Sequence, residues 1–405
     1  MTLTESAAAT ASSPQDILLT AKSKVASEFV VDHVSAERAR ELFLGWSTTE
    51  QWNPTRGGDD VHDIFHKIDP EGFLVGSIIV SSDKTVKATR PSKIDDEDGS
   101  SSSGSSSDEE DGQTSVTIKK TSTVKKPVAI ISAIRFGEDQ AWIGYYIVDA
   151  KERGNGYGLK TFQAALAFLN PAKRSIGLDA VMTQVPNYEK SGFTNVGWQS
   201  ERRNGTIASL LETREPTLAK TLHQGPVVYV NDTRELRVID SGSENQVDFD
   251  TLIPFEAKYT GLRRPEFAKR WLKYHADNVH KRWITVVALS RTEKDAEGRP
   301  VVLGYGCIRP AQESYRVGPL YTESAEVAKE ILIKLSVEVS EAEKISPLGV
   351  PLVIDMDIPQ ANAQTVAMFD SFGWKDVFPS LRMWRGPVPK HNVNGIYAVA
   401  TLELG

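Results

Sequence analysis

Trp142 to Gly158 reads WIGYYIVDAKERGNGYG, and the order of its parts decides the fold. The first part, Trp142–Val148, is a run of aromatic and β-branched residues that predicts a strand. The second part gathers Gly154, Gly156 and Gly158 behind Arg153. Leu159, Phe162, Leu166 and Leu169 then recur at spacings of three and four, which predicts a helix lying on a sheet, stopped by Pro171. A strand, a glycine-rich turn and a helix in succession turn backbone N–H groups and the positive end of a helix dipole toward an anion. Two phosphate-binding loops do not fit. A dinucleotide fingerprint needs G-x-G-x-x-G, whereas the spacing here is G-x-G-x-G; a Walker A loop needs glycine directly before Lys-Ser/Thr, and Leu159 precedes Lys160-Thr161.

A third pattern, Arg/Gln-x-x-Gly-x-Gly/Ala, is met in full by Arg153, Gly156 and Gly158. It resembles the acetyl-coenzyme A loop of the GNAT superfamily of N-acetyltransferases. Further along, Tyr188-Glu189-Lys190-Ser191-Gly192-Phe193 is similar to that family's second signature, a tyrosine opening a short helix that ends in Gly-Phe. The resemblance implies that backbone groups of Ile147 and Val148 take the pantetheine arm and the thioester carbonyl. It implies that Arg153, Gly154, Asn155, Gly156, Tyr157 and Gly158 hold the pyrophosphate, and that the Tyr188 phenol protonates the departing thiolate. That chemistry is coherent: an amine attacks a thioester, an N–H steadies the oxyanion, and the leaving sulfur needs a proton. Tyr188 has a plainer reading as a core aromatic beneath its helix.

Gln51-Trp52-Asn53-Pro54, Asp59-Asp60, Phe65 and Asp69–Phe73 resemble a GNAT subfamily whose catalytic first domain carries Trp-Asn-Pro and is followed by a degenerate GNAT-like domain. Gly304-Tyr305-Gly306, Ile308-Arg309-Pro310, Gly318-Pro319-Leu320-Tyr321 and Arg382-Met383 look like that second domain. The resemblance places Trp52, Asn53 and Asp60 on the substrate side. Thr55 stands where the pattern usually has glycine. The second half has no Arg/Gln-x-x-Gly-x-Gly match, and its counterpart region, Arg316 to Tyr321, offers a proline where a cofactor loop needs an N–H donor. One cofactor site is expected, with the second half as a cap that completes an amine pocket or as a structural partner.

The expected fold class is therefore α/β, with α+β mixed sheets in two consecutive GNAT-like domains. Residues 1–24 form a flexible segment, 25–224 the catalytic domain and 225–405 the degenerate one, because the strand–helix rhythm restarts near residue 225 and both halves close on glycine and an aromatic, Gly192-Phe193 and Gly373-Trp374. Between the strand-like runs Gly72–Ser81 and Pro127–Phe136, residues 82–126 carry almost no large apolar side chains and read as a disordered, acidic, serine-rich insertion in a hairpin. Ser107 ahead of Asp108-Glu109-Glu110 has the form of an acidic-directed phosphoacceptor.

The chain has 405 residues, 40% hydrophobic and 25% charged, which suits a globular protein of two domains. Its net charge of −7 is concentrated in Asp95–Asp98 and Asp108–Asp111, so the remainder is close to neutral and offers no basic field for nucleic acid. No apolar stretch is long enough to span a bilayer. One cysteine, Cys307, forms no internal disulfide, and the first twenty residues lack a signal core, so cytosol or nucleus is expected. His62 and His66 have helical metal spacing but no evident third ligand, and no metal is expected. With no Gly-x-Ser-x-Gly elbow, covalent catalysis is disfavoured. Asp60, Asp69 and Glu71 are candidate bases acting through water.

The resemblance implies an enzyme that transfers an acetyl group from acetyl-CoA to a primary amine, expected to be a small molecule such as an amino acid or biogenic amine. The alternatives are a protein N-acetyltransferase and a non-catalytic acyl-CoA sensor or scaffold.

Overall fold

A computed structural model describes residues 28–89, 115–213, 222, 225–242, 247–345 and 352–405. The expected first segment 1–24, the acidic run and Ser107 lie outside the described residues. Met1–Glu28 with Ile78–Val124 separates as one compact unit, of which Glu28 and the outer ends of two strands are described. The other unit, Phe29–Ser77 with Lys125–Gly405, carries the rest of the fold.

The first half runs β1 (Phe29–His33), α1 (Ala36–Thr49), β2 (Phe73–Thr89), β3 (Ser115–Phe136), β4 (Gln140–Val148), α2 (Tyr157–Leu169), β5 (Ser175–Val181), α3 (Val185–Lys190), β6 (Asn195–Thr206) and α4 (Ile207–Glu212). β2 and β3 reach Thr89 and start at Ser115, so strand extends into both ends of the interval 82–126. Ser35 caps α1 by accepting from the Arg38 N–H at 3.3 Å, and α1 buries Ala39, Leu42 and Phe43, the face its spacing predicts. Helix α2 buries Phe162, Ala165, Leu166 and Leu169 against β4 and β5, while Leu159 is exposed.

The second half runs β7 (Val227–Tyr229), β8 (Arg234–Ile239), α5 (Phe249–Thr260), α6 (Pro265–Asp277), β9 (Ile284–Lys294), β10 (Pro300–Pro310), β11 (Tyr315–Thr322), α7 (Ala325–Ile345), β12 (Val353–Pro359), α8 (Ala363–Ser371), β13 (Lys375–Arg385) and β14 (Ile396–Ala398). It repeats the plan of the first half, so the fold is the expected mixed α/β one with two GNAT-like parts. A single mixed sheet nevertheless joins them, because the halves exchange strands. The sheet order is β1-β2-β3-β4-β5-β13-β6-β12-β11-β10-β9-β8-β7. Strand β13 of the second half pairs antiparallel with β5, Arg382 opposite Asp179, and β6 of the first half pairs with β12, Arg202 opposite Asp357. The side chains of Arg202, Asp357, Arg382 and Asp179 are all buried, and each arginine meets its carboxylate in an ion pair across the exchange.

Two differences between the halves bear on function. Strand β4 is joined to α2 through the glycine-rich turn, but β11 is joined to α7 by Glu323 and Ser324 alone. The counterpart of the glycine-rich loop is thus that two-residue turn, and Arg316 to Tyr321, expected to be the counterpart, lies inside β11. In addition, β11 and β12 pair only at Tyr315–Ile354 and Arg316–Asp355; where they diverge, β14 pairs with Leu320 and Tyr321 of β11, and the Val399 N–H donates to the Asp357 carbonyl at 3.0 Å. The chain's own segment fills the second cleft.

Candidate active site

In the first half the corresponding cleft is open. The parallel ladder between β4 and β5 holds from Gln140–Ser175 to Ile143–Leu178 and stops. On the other side of β4, Ser132 faces Gly144 and Ile130 faces Ile147, so Tyr145 and Tyr146 together oppose Ile131 in a bulge. Tyr145 takes φ 49°, a left-handed conformation costly for an aromatic residue. The bulge swings the end of β4 away from β5. The resulting cavity of about 500 Å³ is lined by β4 from Ile143 to Val148, by Leu178, Asp179 and Val181 of β5, by Glu50, Trp52, Arg153, Tyr188 and Arg202, and by Phe378, Leu402 and Glu403 of the second half.

A second groove, of about 850 Å³, runs between α2 and α3 along Leu159, Phe162, Leu166, Asn187 and Gly192. Tyr146, Gln184 and Tyr188 line both spaces, so Tyr188 stands where the groove meets the cavity. Its ring lies 5.8 Å from Phe162 and 6.3 Å from Phe193, so the phenol is also an aromatic packing element. Burial, and secondarily the neighbouring Tyr146, raise the Tyr188 pKa, which keeps its proton on; burial pushes Tyr146 up to about 12.

Gly154 and Gly156 adopt φ 82° and 80°, and a side chain at either would point into open space. Gly158 is needed for a different reason: a Cβ there would stand 2.6 Å from the Tyr146 hydroxyl and 2.7 Å from a Val148 methyl. The Arg153 Nε donates to the Val148 carbonyl at 3.0 Å, and its guanidinium pairs with Glu50. Its charge is therefore shared with a carboxylate, and the loop's capacity for an anion rests mainly on backbone N–H groups at the start of α2.

The residues expected on the substrate side separate. Trp52 lines the cavity, its carbonyl held by Arg202 at 3.1 Å. Asn53 and Asp60 do not line it. Asn53, at φ 51°, donates to Ser314 at 2.7 Å and to Asp355 at 2.5 Å and accepts from the Glu313 N–H, clamping the Trp-Asn-Pro loop to the second half. Asp60 is buried against Thr55 at 2.5 Å and the Val61 N–H at 2.9 Å, with its pKa raised by burial against the opposing pull of Arg309. Thr55, in place of the usual glycine, also accepts from Arg309 at 3.1 Å and so bridges that carboxylate and that arginine. Asp69 and Glu71 both pair with Arg135, away from the cavity.

Sequence reasoning missed Asp179, Arg202, Phe378 and Glu403. The Asp179 side chain is fully buried and bound through both oxygens by Arg382, at 2.9 and 2.7 Å, in the cavity wall. Arg202 and Arg316 converge on Asp357, whose pKa burial alone would raise but which the two guanidinium groups hold low. Among the described residues, no cluster of three His, Cys, Asp or Glu side chains could hold a metal, and no helix is long and apolar enough to cross a membrane.

Comparison with known proteins agrees with this geometry. A family model described as an acetyltransferase (GNAT) domain matches residues 253–398, the half without the glycine-rich loop. Holothin acyltransferase of Pseudoalteromonas sp. (strain SANK 73390) is 26% identical over 280 residues, which cover 69% of this chain and 78% of the relative. A candidate acetyltransferase from Pyrococcus horikoshii shares the fold with a TM-score of 0.55 at 15% identity, over 93% of this chain and 96% of its own. A tandem GNAT protein from the clavulanic acid biosynthesis pathway aligns with a TM-score of 0.49 at 11% identity, over 89% and 99% of the two chains. With the open cleft and glycine-rich loop in one half and the matched domain in the other, the chain carries an acetyltransferase (GNAT) domain in its second half and is similar, over both halves, to proteins of acyltransferase type.

Proposed function

We propose that this acyltransferase moves an acetyl group from acetyl-CoA to the primary amine of a small molecule, using the cleft of the first half alone. The observation that carries the reading is that Tyr188 lines both groove and cavity: one space is suited to a long flexible arm, the other to an acceptor, and a proton donor stands between them. The open positions at Gly154 and Gly156 and the N-terminus of α2 fit a pyrophosphate. Acetyl-CoA, when bound, supplies an activated thioester. Backbone of β4 beyond Ile143, where the ladder to β5 has ended, is suited to steady the oxyanion, and Tyr188 to give its proton to sulfur as the C–S bond breaks. A cavity walled by Trp52, Tyr145, Tyr146 and Phe378, with the second half supplying part of its lining, favours a compact amine over a protein chain.

Calorimetry with acetyl-CoA is expected to give one site per chain, since the second cleft is filled by β14 and its loop is two residues long. Gly156→Trp is expected to abolish that binding: the ring would enter open space and lie over the loop, and the strain of the left-handed position costs only about 1–2 kcal/mol. Two equivalent sites, or undiminished binding by the variant, would overturn the assignment. Tyr188→Phe keeps the ring packing and removes the proton donor, so kcat is expected to fall by about 100-fold or more with cofactor affinity unchanged. Normal turnover would leave Tyr188 only its packing role.

A further inference from the structure

The proposed reaction needs a group to take the amine's proton, and none of the carboxylates expected from the sequence reaches the cavity. Three others line it: Glu50, Asp179 and Glu403. Glu50 is neutralised by Arg153, and both Asp179 oxygens are held by Arg382. In Glu403, Oε2 accepts from the Thr401 hydroxyl, whereas Oε1 lies 3.7 Å from the nearest Arg316 nitrogen, beyond hydrogen-bond distance. That oxygen retains its capacity to accept.

The fold fixes this residue closely. After β14 the segment crosses from the second cleft to the first, where the Trp142 Nε1 donates to the Leu402 carbonyl at 3.1 Å and Arg264 to the Leu404 carbonyl at 2.7 Å. Gly144, beside the bulge, has no side chain because the Glu403 backbone lies against it; a Cβ there would collide with the Glu403 carbonyl. The same strand therefore carries the splay and abuts Glu403. The charged and titratable groups around Glu403 are Arg316 of β11, Arg309 of β10, Tyr145 of β4, Asp179 of β5 and Asp60.

Resting on the acetyl-transfer reading of this cavity, we infer that Glu403 is the general base. As the amine nitrogen forms its bond to the thioester carbon, the N–H proton passes to Glu403 Oε1. The C–S bond breaks and the sulfur takes the Tyr188 proton. The amide and free CoA leave, and the Glu403 proton returns through solvent to the Tyr188 oxygen. An amine that arrives as an ammonium first gives its extra proton to the same carboxylate and thence to solvent.

The test uses the full chain, acetyl-CoA and the amine that the parent turns over best, with release of free CoA followed from pH 6 to 10. Glu403→Gln is expected to lower kcat/KM by about 100-fold to 10,000-fold near pH 7, the range for a lost general base. Acetyl-CoA affinity should stay at the parental value, and the rate should now climb with the fraction of unprotonated amine rather than with an enzyme group. Glu403→Asp keeps the charge and shortens the reach; it should fold, lose at least tenfold in kcat and retain the parental pH limb. A glutamine variant with parental kcat and an unchanged pH profile overturns the inference. Should the glutamine variant fail to fold, an aspartate variant with undiminished kcat does the same. A parent that binds acetyl-CoA yet acetylates no amine overturns the acetyl-transfer reading, and this inference with it.

Discussion

Residues 25–224 expressed alone are expected to show no cooperative unfolding transition and no acetyl-CoA binding. The rhythm of the sequence places a boundary near residue 225, but a cut there separates β5 from β13 and β6 from both β13 and β12. It uncovers the Asp179 carboxylate and the Trp142 ring, which stacks edge-on against Trp384 at 5.4 Å, and strips Phe65 of Trp271 at 6.0 Å and Phe267 at 6.3 Å. Removing one buried aromatic costs about 3–5 kcal/mol, and a whole domain is stable by about 5–15 kcal/mol, so losing several partners at once exceeds what the half has to lose. Bare strand edges add a route to aggregation. Co-expression with 225–405 should restore a soluble, acetyl-CoA-binding complex. A sharp melting transition and parental cofactor affinity for the isolated first half would show that the exchanged strands are dispensable.

What the sequence made legible follows from the range of the signals involved. Strand β4, helix α2, Tyr188 and the glycine loop are local patterns: alternation, three-and-four spacing, and glycines where the backbone turns left-handed. The opening of the cleft was reachable only through resemblance, because the bulge at Tyr145 depends on register with Ile131 and leaves no composition mark. Helices α5 and α6 were passed over, although α6 buries Phe267, Trp271 and Leu272 on one face. Strand exchange is invisible to periodicity, since β13 reads equally well paired inside its own half. Glu403 was missed for the same reason. It sits among ordinary residues, Thr401-Leu402-Glu403-Leu404, and only the path of β14 brings it to Gly144. Asn53 was expected on the substrate side, whereas its partners Ser314 and Asp355 are far away in sequence, so its role in clamping the loop emerges only in three dimensions.

Arg382→Met is expected to destabilise the whole chain by about 3–5 kcal/mol, the cost of leaving a buried carboxylate without its partner. The guanidinium closes a two-point pair with Asp179 across the exchanged strand and lies over the rings of Trp142 at 4.7 Å and Trp198 at 4.4 Å. Methionine can fill the slot between the rings but cannot answer the charge. The loss should also depend on pH, with a definite sign. Burial already raises the Asp179 pKa above its ordinary value, with Arg382 opposing it; without Arg382 the folded-state pKa rises further. The folded variant then binds a proton that the unfolded chain releases above the ordinary aspartate value of 3.8, so its stability falls as pH rises from that value through the folded pKa. Denaturant midpoints should therefore lie nearer the parent's at pH 5 than at pH 8. Asp179→Leu added to Arg382→Met should recover most of the stability, because an apolar pair of similar bulk removes the unpaired charge along with its partner. A single variant that loses less than about 1 kcal/mol at pH 8, the worth of an exposed pair, would mean that water reaches Asp179 and that the joint between the halves is held by packing alone.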